Sequence, residues 1–298
     1  MQVSTNKEVL LEIERYMQSG DYKVVGLDFL ERIQDIKASI EVLDLQKEFL
    51  ESYRNYLENI KTLPINIQPL FLKAIKNDEV VANHGLERIN PFTISMYMLS
   101  RKKSALDKLL ELDGPLTTND FKRLHYTLLK NTPTSEETPE FRKENSIFVG
   151  YYQNGKRIIE FFPIDYKSIP TAVCEFLNYY NNQDINFEQS FIKPLIVHGL
   201  ISGLQIFKDG NTRFARMLQH AILYDSTVKY LDSSLPSPAL YSSKTYYPFR
   251  EKYRYLIKNL ITENSNEAWN QWFTFNYHRF EDQVMVNEEN IRELKKTL

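Results

Sequence analysis

A chain of 298 residues with a net charge of −2, 42% hydrophobic and 26% charged, is long enough to bury a sizeable core in one or two domains and has an ordinary globular composition. The near-neutral balance argues against nucleic acid or an anionic membrane as an obligatory partner, and no stretch approaches the length of a membrane span. The single cysteine, Cys174, excludes an intrachain disulfide and suits a reducing cytoplasm.

On a helix with apolar neighbours, Cys174 reads as a small core residue. The opening MQVSTNKEVL lacks the basic region and apolar run of a secretory leader. Asn6 to Ser19 carries Val9, Leu10, Ile13 and Met17 at helical spacing and is closed by Gly20. From Leu27 to Leu63 there is no Gly or Pro, and the apolar residues keep a helical period, which predicts one long helix or two that abut. Pro64 and Pro69 punctuate, and Leu70 to Lys76 is helical again. Pro91 fits the first turn of a helix reaching Leu112. Asp113-Gly114-Pro115 ends it, and Thr118 caps a helix over Asp120 to Lys130. Asn131 to Glu144 is a polar loop.

Ser146 to Tyr152 and Arg157 to Phe162, rich in β-branched and aromatic residues, flank Asn154-Gly155. That pattern predicts a hairpin. An isolated two-stranded hairpin is marginal in water, so it must pack on something or clamp something. A helix over Thr171 to Tyr179 follows. Then an apolar helix, Phe191 to Leu204, runs into the polar loop Asp209-Gly210-Asn211-Thr212. A second helix leaves that loop for Tyr224 with Arg213 and Arg216 one turn apart, on one face.

This stretch, Gln205-Ile206-Phe207-Lys208-Asp209-Gly210-Asn211-Thr212-Arg213-Phe214-Ala215-Arg216, carries the strongest chemical signal. The loop stands at a helix N-terminus, where unsatisfied N–H groups and the macrodipole favour an anion. Asp209 is a hard oxygen ligand of the kind that holds Mg²⁺ beside phosphate. Gly210, Asn211 and Thr212 form the cradle, and Arg213 and Arg216 offer planar bidentate donors to phosphate oxygens. The site suits a metal-bound polyphosphate.

The stretch also resembles the signature of the Fic/Doc (Fido) family, H-x-F-x-[D/E]-G-N-G-R-x-x-R. Phe207, Asp209, Gly210, Asn211, Arg213 and Arg216 match. Gln205 stands where the family has His, and Thr212 replaces the second Gly. Upstream, Asn83 and Glu87 in 80–90 resemble the family's inhibitory pattern [S/T]-x-x-x-E-[G/N]. Downstream, the run from Leu240-Tyr241-Ser242-Ser243 to Trp269 and Trp272 is similar to the C-terminal helices of a large Fic subgroup.

The resemblance implies a mainly α, Fic-fold helical bundle with one β-hairpin flap, flanked by N- and C-terminal helices. It divides the chain into an N-terminal helical region (1–79), a core (80–230, with the flap at 146–162) and a C-terminal helical region (231–298). It implies ATP and Mg²⁺ as cofactors, and AMP transfer to a Ser, Thr or Tyr hydroxyl of a target protein. That target, or the protein itself, would dock along the flap at Ile147, Phe148, Val149 and Gly150, and a homo-oligomer is compatible with this. Glu87 would pair with Arg216 and block the γ-phosphate.

In the family the signature His takes the hydroxyl proton. A carboxamide cannot hold that proton near neutral pH, and general-base catalysis is worth about 10²–10⁴ in rate. Gln205 therefore leaves three readings: a nucleotide-binding protein with weak or absent transfer, a genuine transferase or one trapped by substitution of a native His, and a protein-interaction module. At position 212 a β-branched residue resists positive φ, which implies a tighter or tilted anion site.

Overall fold

The computed structural model describes residues 7–75, 105–130, 140–154, 156–182, 185–231 and 249–298. Glu87 with the whole 80–90 segment, the helix expected from Pro91 as far as residue 104, and Leu240 to Ser243 lie outside the described residues.

Within them the fold is mainly α with one antiparallel hairpin, as the sequence pattern predicts. The helices are α1 (Lys7–Ser19), α2 (Asp28–Glu31), α3 (Ile40–Lys61), α4 (68–75), α5 (Ala105–Leu110), α6 (Thr118–Leu129), α7 (Ile169–Asn181), α8 (Phe187–Leu204), α9 (Asn211–Leu231), α10 (Arg250–Glu263) and α11 (Asn266–Thr297). The strands are β1 (Val149–Gln153) and β2 (Lys156–Phe161).

Helix α8 is the axis of the molecule. Asn186 caps it in a reciprocal box with Gln189, satisfying two orphan donors at once. Every residue from Ser190 to Leu204 is buried, as expected of a helix that is apolar all round. It packs on α9, α10 and α11. Pro194 sits inside it and supplies no N–H to the carbonyl of Ser190 four residues back. The Ser226 hydroxyl of α9 donates to that carbonyl instead, at 2.9 Å. Helix α11 reaches two more of its carbonyls: Trp272 Nε1 donates to Leu195 O and the Tyr277 hydroxyl to Phe191 O, both at 2.9 Å. Each of these large buried side chains contributes roughly 1.5–3 kcal/mol through burial.

The run from Leu27 to Leu63 is neither one helix nor two that abut. Short α2 and a 3₁₀ turn, Arg32–Asp35, end before an extended Ile36, and α3 starts afresh with Ser39 as its N-cap. Asn266 and Asn270 of α11 accept from the N–H groups of Lys37 and Ser39, at 3.2 and 2.7 Å. Asn270 also donates to Lys37 O at 3.1 Å. Remote side chains thus satisfy the backbone at the break. The cap of α6 is Thr117, boxed with Asp120, rather than Thr118. Cys174 is exposed, because the buried face of α7 is Ile169, Ala172, Val173, Phe176 and Leu177.

The hairpin pairs Gly150 with Ile159 and Tyr151 with Ile158, with a bulge at Val149/Gly150. Asn154 takes φ 51°, the left-handed conformation that a tight two-residue turn demands. The hairpin does not stand alone. Phe162, just beyond β2, exchanges backbone bonds with Val25 and Lys23. On the other side Arg254 of α10 reaches Glu160 at 3.4 Å and lies 4.8 Å over the Tyr151 ring. No described helix is long and apolar enough to cross a membrane.

Candidate functional site

Six residues, Gln205 to Gly210, connect α8 to α9, and the connection begins and ends on a left-handed residue. Gln205 has φ 49° and Gly210 φ 75°. Left-handed backbone costs a non-glycine residue about 1–2 kcal/mol, so Gln205 must be held there. Its N–H still closes on Ile201 O at 3.3 Å. Its side chain, 4% exposed, turns inward. Nε2 donates to Ser202 O at 2.7 Å, and Oε1 accepts from Asn211 Nδ2 at 3.1 Å.

Asn211 staples the loop. Its Oδ1 accepts from the Phe207 N–H at 2.9 Å, and Nδ2 donates to Phe207 O at 2.8 Å as well as to Gln205. Both of its amide hydrogens are engaged inside the loop. The Phe214 N–H closes the first turn of α9 on Gly210 O at 2.9 Å.

Phe207 is fully buried and stacks on His125 of α6, with ring centroids 3.5 Å apart and planes 2° from parallel. His125 Nε2 meets Asp209 O at 2.8 Å. Burial pushes the pKa of His125 down to about 3, against the pull of that carbonyl. The ring is therefore neutral and serves as the donor. It is a wall of the loop and a poor base.

Asp209 Oδ2 accepts from Arg213 Nη2 at 2.8 Å, with the carboxylate side chain 23% exposed and the arginine 2%. Expected metal ligand and expected phosphate clamp thus meet in one ion pair. Arg216, one turn further, is also buried. Thr212 lies in the first turn of α9 and is not among the positive-φ residues. The left-handed position in this turn is Gly210.

His198 is fully buried, with Nδ1 on Gln219 Oε1 and Nε2 2.8 Å from the Tyr253 hydroxyl. Burial, then the charge of Arg216, lowers its pKa to about 3. It ties α8 to α9 and α10. Both buried rings are neutral at neutral pH and are poor bases there.

The hairpin places the four expected docking residues unequally. Ile147 is 2% exposed and lies before β1, so it belongs to the core; its apolar side chain gains more by burial than as part of an edge. Phe148, Val149 and Gly150 are half-buried. A Cβ on Gly150 would come within 2.1 Å of Ile158 O, so this position contributes backbone alone.

Sequence reasoning missed Arg142. Its Nε donates to Gln205 O at 2.9 Å and its N–H to Ile206 O at 3.2 Å. A lone arginine in a polar loop gives no hint of partners sixty residues away.

With this geometry in place, residues 115–223 match the model of the Fic/DOC family. The chain carries a Fic/DOC domain. Three solved structures share its fold. A Fic family protein from Desulfovibrio desulfuricans G20 aligns with a TM-score of 0.60 at 15% identity, covering 85% of this chain and 76% of the other. A Fic domain containing signaling protein from Bacteroides thetaiotaomicron VPI-5482 gives 0.55 at 12%, covering 82% and 98%. A Fic-1 fragment from C. elegans gives 0.52 at 14%, covering 83% and 72%. At such identities the likeness concerns the fold. A search of curated proteins finds no match to the chain. The match begins at Pro115 and ends at Leu223, so α6, the hairpin, α7, α8 and the signature loop all fall inside the Fic/DOC domain.

The inward amide of Gln205 makes one outcome definite. Gln205→Ala should lower stability by about 1–3 kcal/mol, because Ser202 O loses its side-chain donor and Asn211 Nδ2 one of its acceptors in a buried place. Urea unfolding of the variant checks this.

Proposed function

We propose that this Fic/DOC domain binds a nucleoside triphosphate such as ATP with Mg²⁺ at the Gln205–Arg216 stretch, and that it is weak or inactive as an AMP transferase. The single observation that carries the second half is the Gln205 side chain. It is buried, bonded at both ends of its amide, and has no titratable group to accept a hydroxyl proton.

Support for the first half lies in the donor set. Asp209 is a partly exposed carboxylate at the helix start, with Arg213 on its oxygen and Arg216 one turn along α9. Among the described residues no three His, Cys, Asp or Glu side chains converge. A cation here would therefore rest on Asp209 and on phosphate oxygens, which is how Mg²⁺ is commonly held. When bound, Mg²⁺ would neutralise phosphate charge. Arg213 would then divide its donors between Asp209 and the phosphates, and Arg216 would take the distal phosphate. Glu87, by the family resemblance, would modulate that last position. Among the described residues β1 pairs only with β2, and its other edge suits a target segment added as a strand.

Calorimetric titration with Mg²⁺-ATP tests the reading. Removal of one charged hydrogen-bonding group is worth about 1.5–3 kcal/mol, so Arg216→Ala should weaken binding about 10- to 100-fold. Gln205→His should leave affinity within a few-fold. No heat and no rise in melting temperature with Mg²⁺-ATP, even with Glu87→Gly, would refute nucleotide binding. Labelled AMP transferred by this chain as fast as by its Gln205→His variant would refute the second half of the reading.

A further inference from the structure

Both feet of the hairpin and the signature loop converge on one side chain. Arg142 lies in the segment that leads into β1 and is 3% exposed. Its Nε holds Gln205 O at 2.9 Å and its backbone N–H holds Ile206 O. Nη1 donates to Glu144 O at 3.2 Å and Asn145 Oδ1 at 3.1 Å, just ahead of β1. Nη2 donates to Ile164 O, just beyond β2. Asn145 extends the clasp. Its Oδ1 also accepts from the Tyr166 N–H at 3.1 Å, and its Nδ2 donates to Asp165 Oδ2 at 3.0 Å.

The guanidinium is a buried cation held almost entirely by neutral carbonyls. Burial lowers its pKa to about 10 and Asp165 partly restores it, so it is charged at neutral pH. Burying such a charge is costly, and hydrophobic packing in its place is often no less stable. What a flat, forked cation supplies that packing cannot is fixed geometry in several directions at once.

We propose that Arg142 is a positioning residue that couples the hairpin to the signature loop. A shift of either foot of the hairpin pulls on the Gln205 and Ile206 carbonyls. The turn that presents Asp209 and the start of α9 moves with them. Occupancy of the hairpin edge and of the loop then favour or oppose one another, equally in both directions. The functional reach of this coupling rests on the reading of the loop and hairpin proposed above, but its test needs no ligand.

Hydrogen exchange is measured on the full chain, on Arg142→Lys and on Asn145→Ala. Lysine keeps the charge and loses the fork. Peptides covering 205–211 and those covering 149–161 should both exchange about tenfold faster or more in Arg142→Lys, while α3 and α11 stay unchanged. Asn145→Ala does not touch the loop, yet it should speed exchange at 205–211 as well. Full protection in Arg142→Lys would mean that charge alone is needed and would overturn the proposal. Acceleration of only one of the two segments would overturn it too, and so would an equal acceleration of α3 and α11. Should Arg142→Lys fail to fold, Asn145→Ala decides: faster exchange at 205–211 supports the coupling, an unchanged loop removes it. Absence of Mg²⁺-ATP binding would leave this result standing, so the two proposals fail separately.

Discussion

Acidification from pH 7.5 to 4.5 should strip most of the stability from this protein, chiefly through His125 and His198. Both are neutral in the fold, with pKa values lowered from 6.5 to about 3 by burial. The unfolded chain takes up protons below pH 6.5 and the folded chain does not until near pH 3. Stability is therefore fully present above about pH 6.5 and is lost as pH falls toward 3. Over this interval each histidine is worth roughly 2–3 kcal/mol. Together they approach the lower end of the ~5–15 kcal/mol that holds a typical domain folded. Asp225 and Glu281, raised by partial desolvation of their carboxyls, act in the opposite sense. Asp225 is exposed on the surface of α9 and Glu281 is partly so, and solvent screens both. Denaturant melts across this range check the slope. His125→Gln keeps a donor for Asp209 O and should remove about half of the acid loss. A flat profile in the wild-type chain would mean that neither ring is shielded from water.

Gly210→Ala is expected to cost about 2–5 kcal/mol, from two sources. The left-handed φ of 75° costs an L-residue about 1–2 kcal/mol. The added Cβ would also lie 2.7 Å from Leu129 Cδ2 and 3.2 Å from His125 Nε2, and forcing such neighbours apart adds about 1–3 kcal/mol. Gly114 is the control. It also has a positive φ, 98°, but nothing stands within 4 Å of its Cβ position, so Gly114→Ala should show the backbone cost alone. Urea unfolding of the two variants separates the contributions. Equal losses would mean that His125 and Leu129 yield without cost and do not fix the turn.

Much of the fold was legible because its signals are local. Asn154-Gly155 between two apolar runs marks the hairpin turn, and the closing Gly20 marks the end of α1. The spacing of Asp209, Gly210, Arg213 and Arg216 identifies the family signature before any coordinates. The break at Ser39 was hidden, since no Gly or Pro announces it. It persists because Asn266 and Asn270 receive its backbone groups, and those residues lie more than two hundred positions away. Cys174 was misread for a related reason: an apolar helix does not say which of its faces meets the core.

The list of groups in the site could be read from the chain alone: one carboxylate, two arginines, a glycine turn and the carboxamide of Gln205. That follows from side-chain chemistry, which needs no coordinates. How those groups are paired came from the folded arrangement. It turned the amides of Gln205 and Asn211 inward, paired Asp209 with Arg213, walled the loop with His125 and hung it from Arg142. Hydrogen bonds form between groups that meet in space. Here the partners come from α6, α8, α9 and the approach to β1, which adjoin only once the chain has folded.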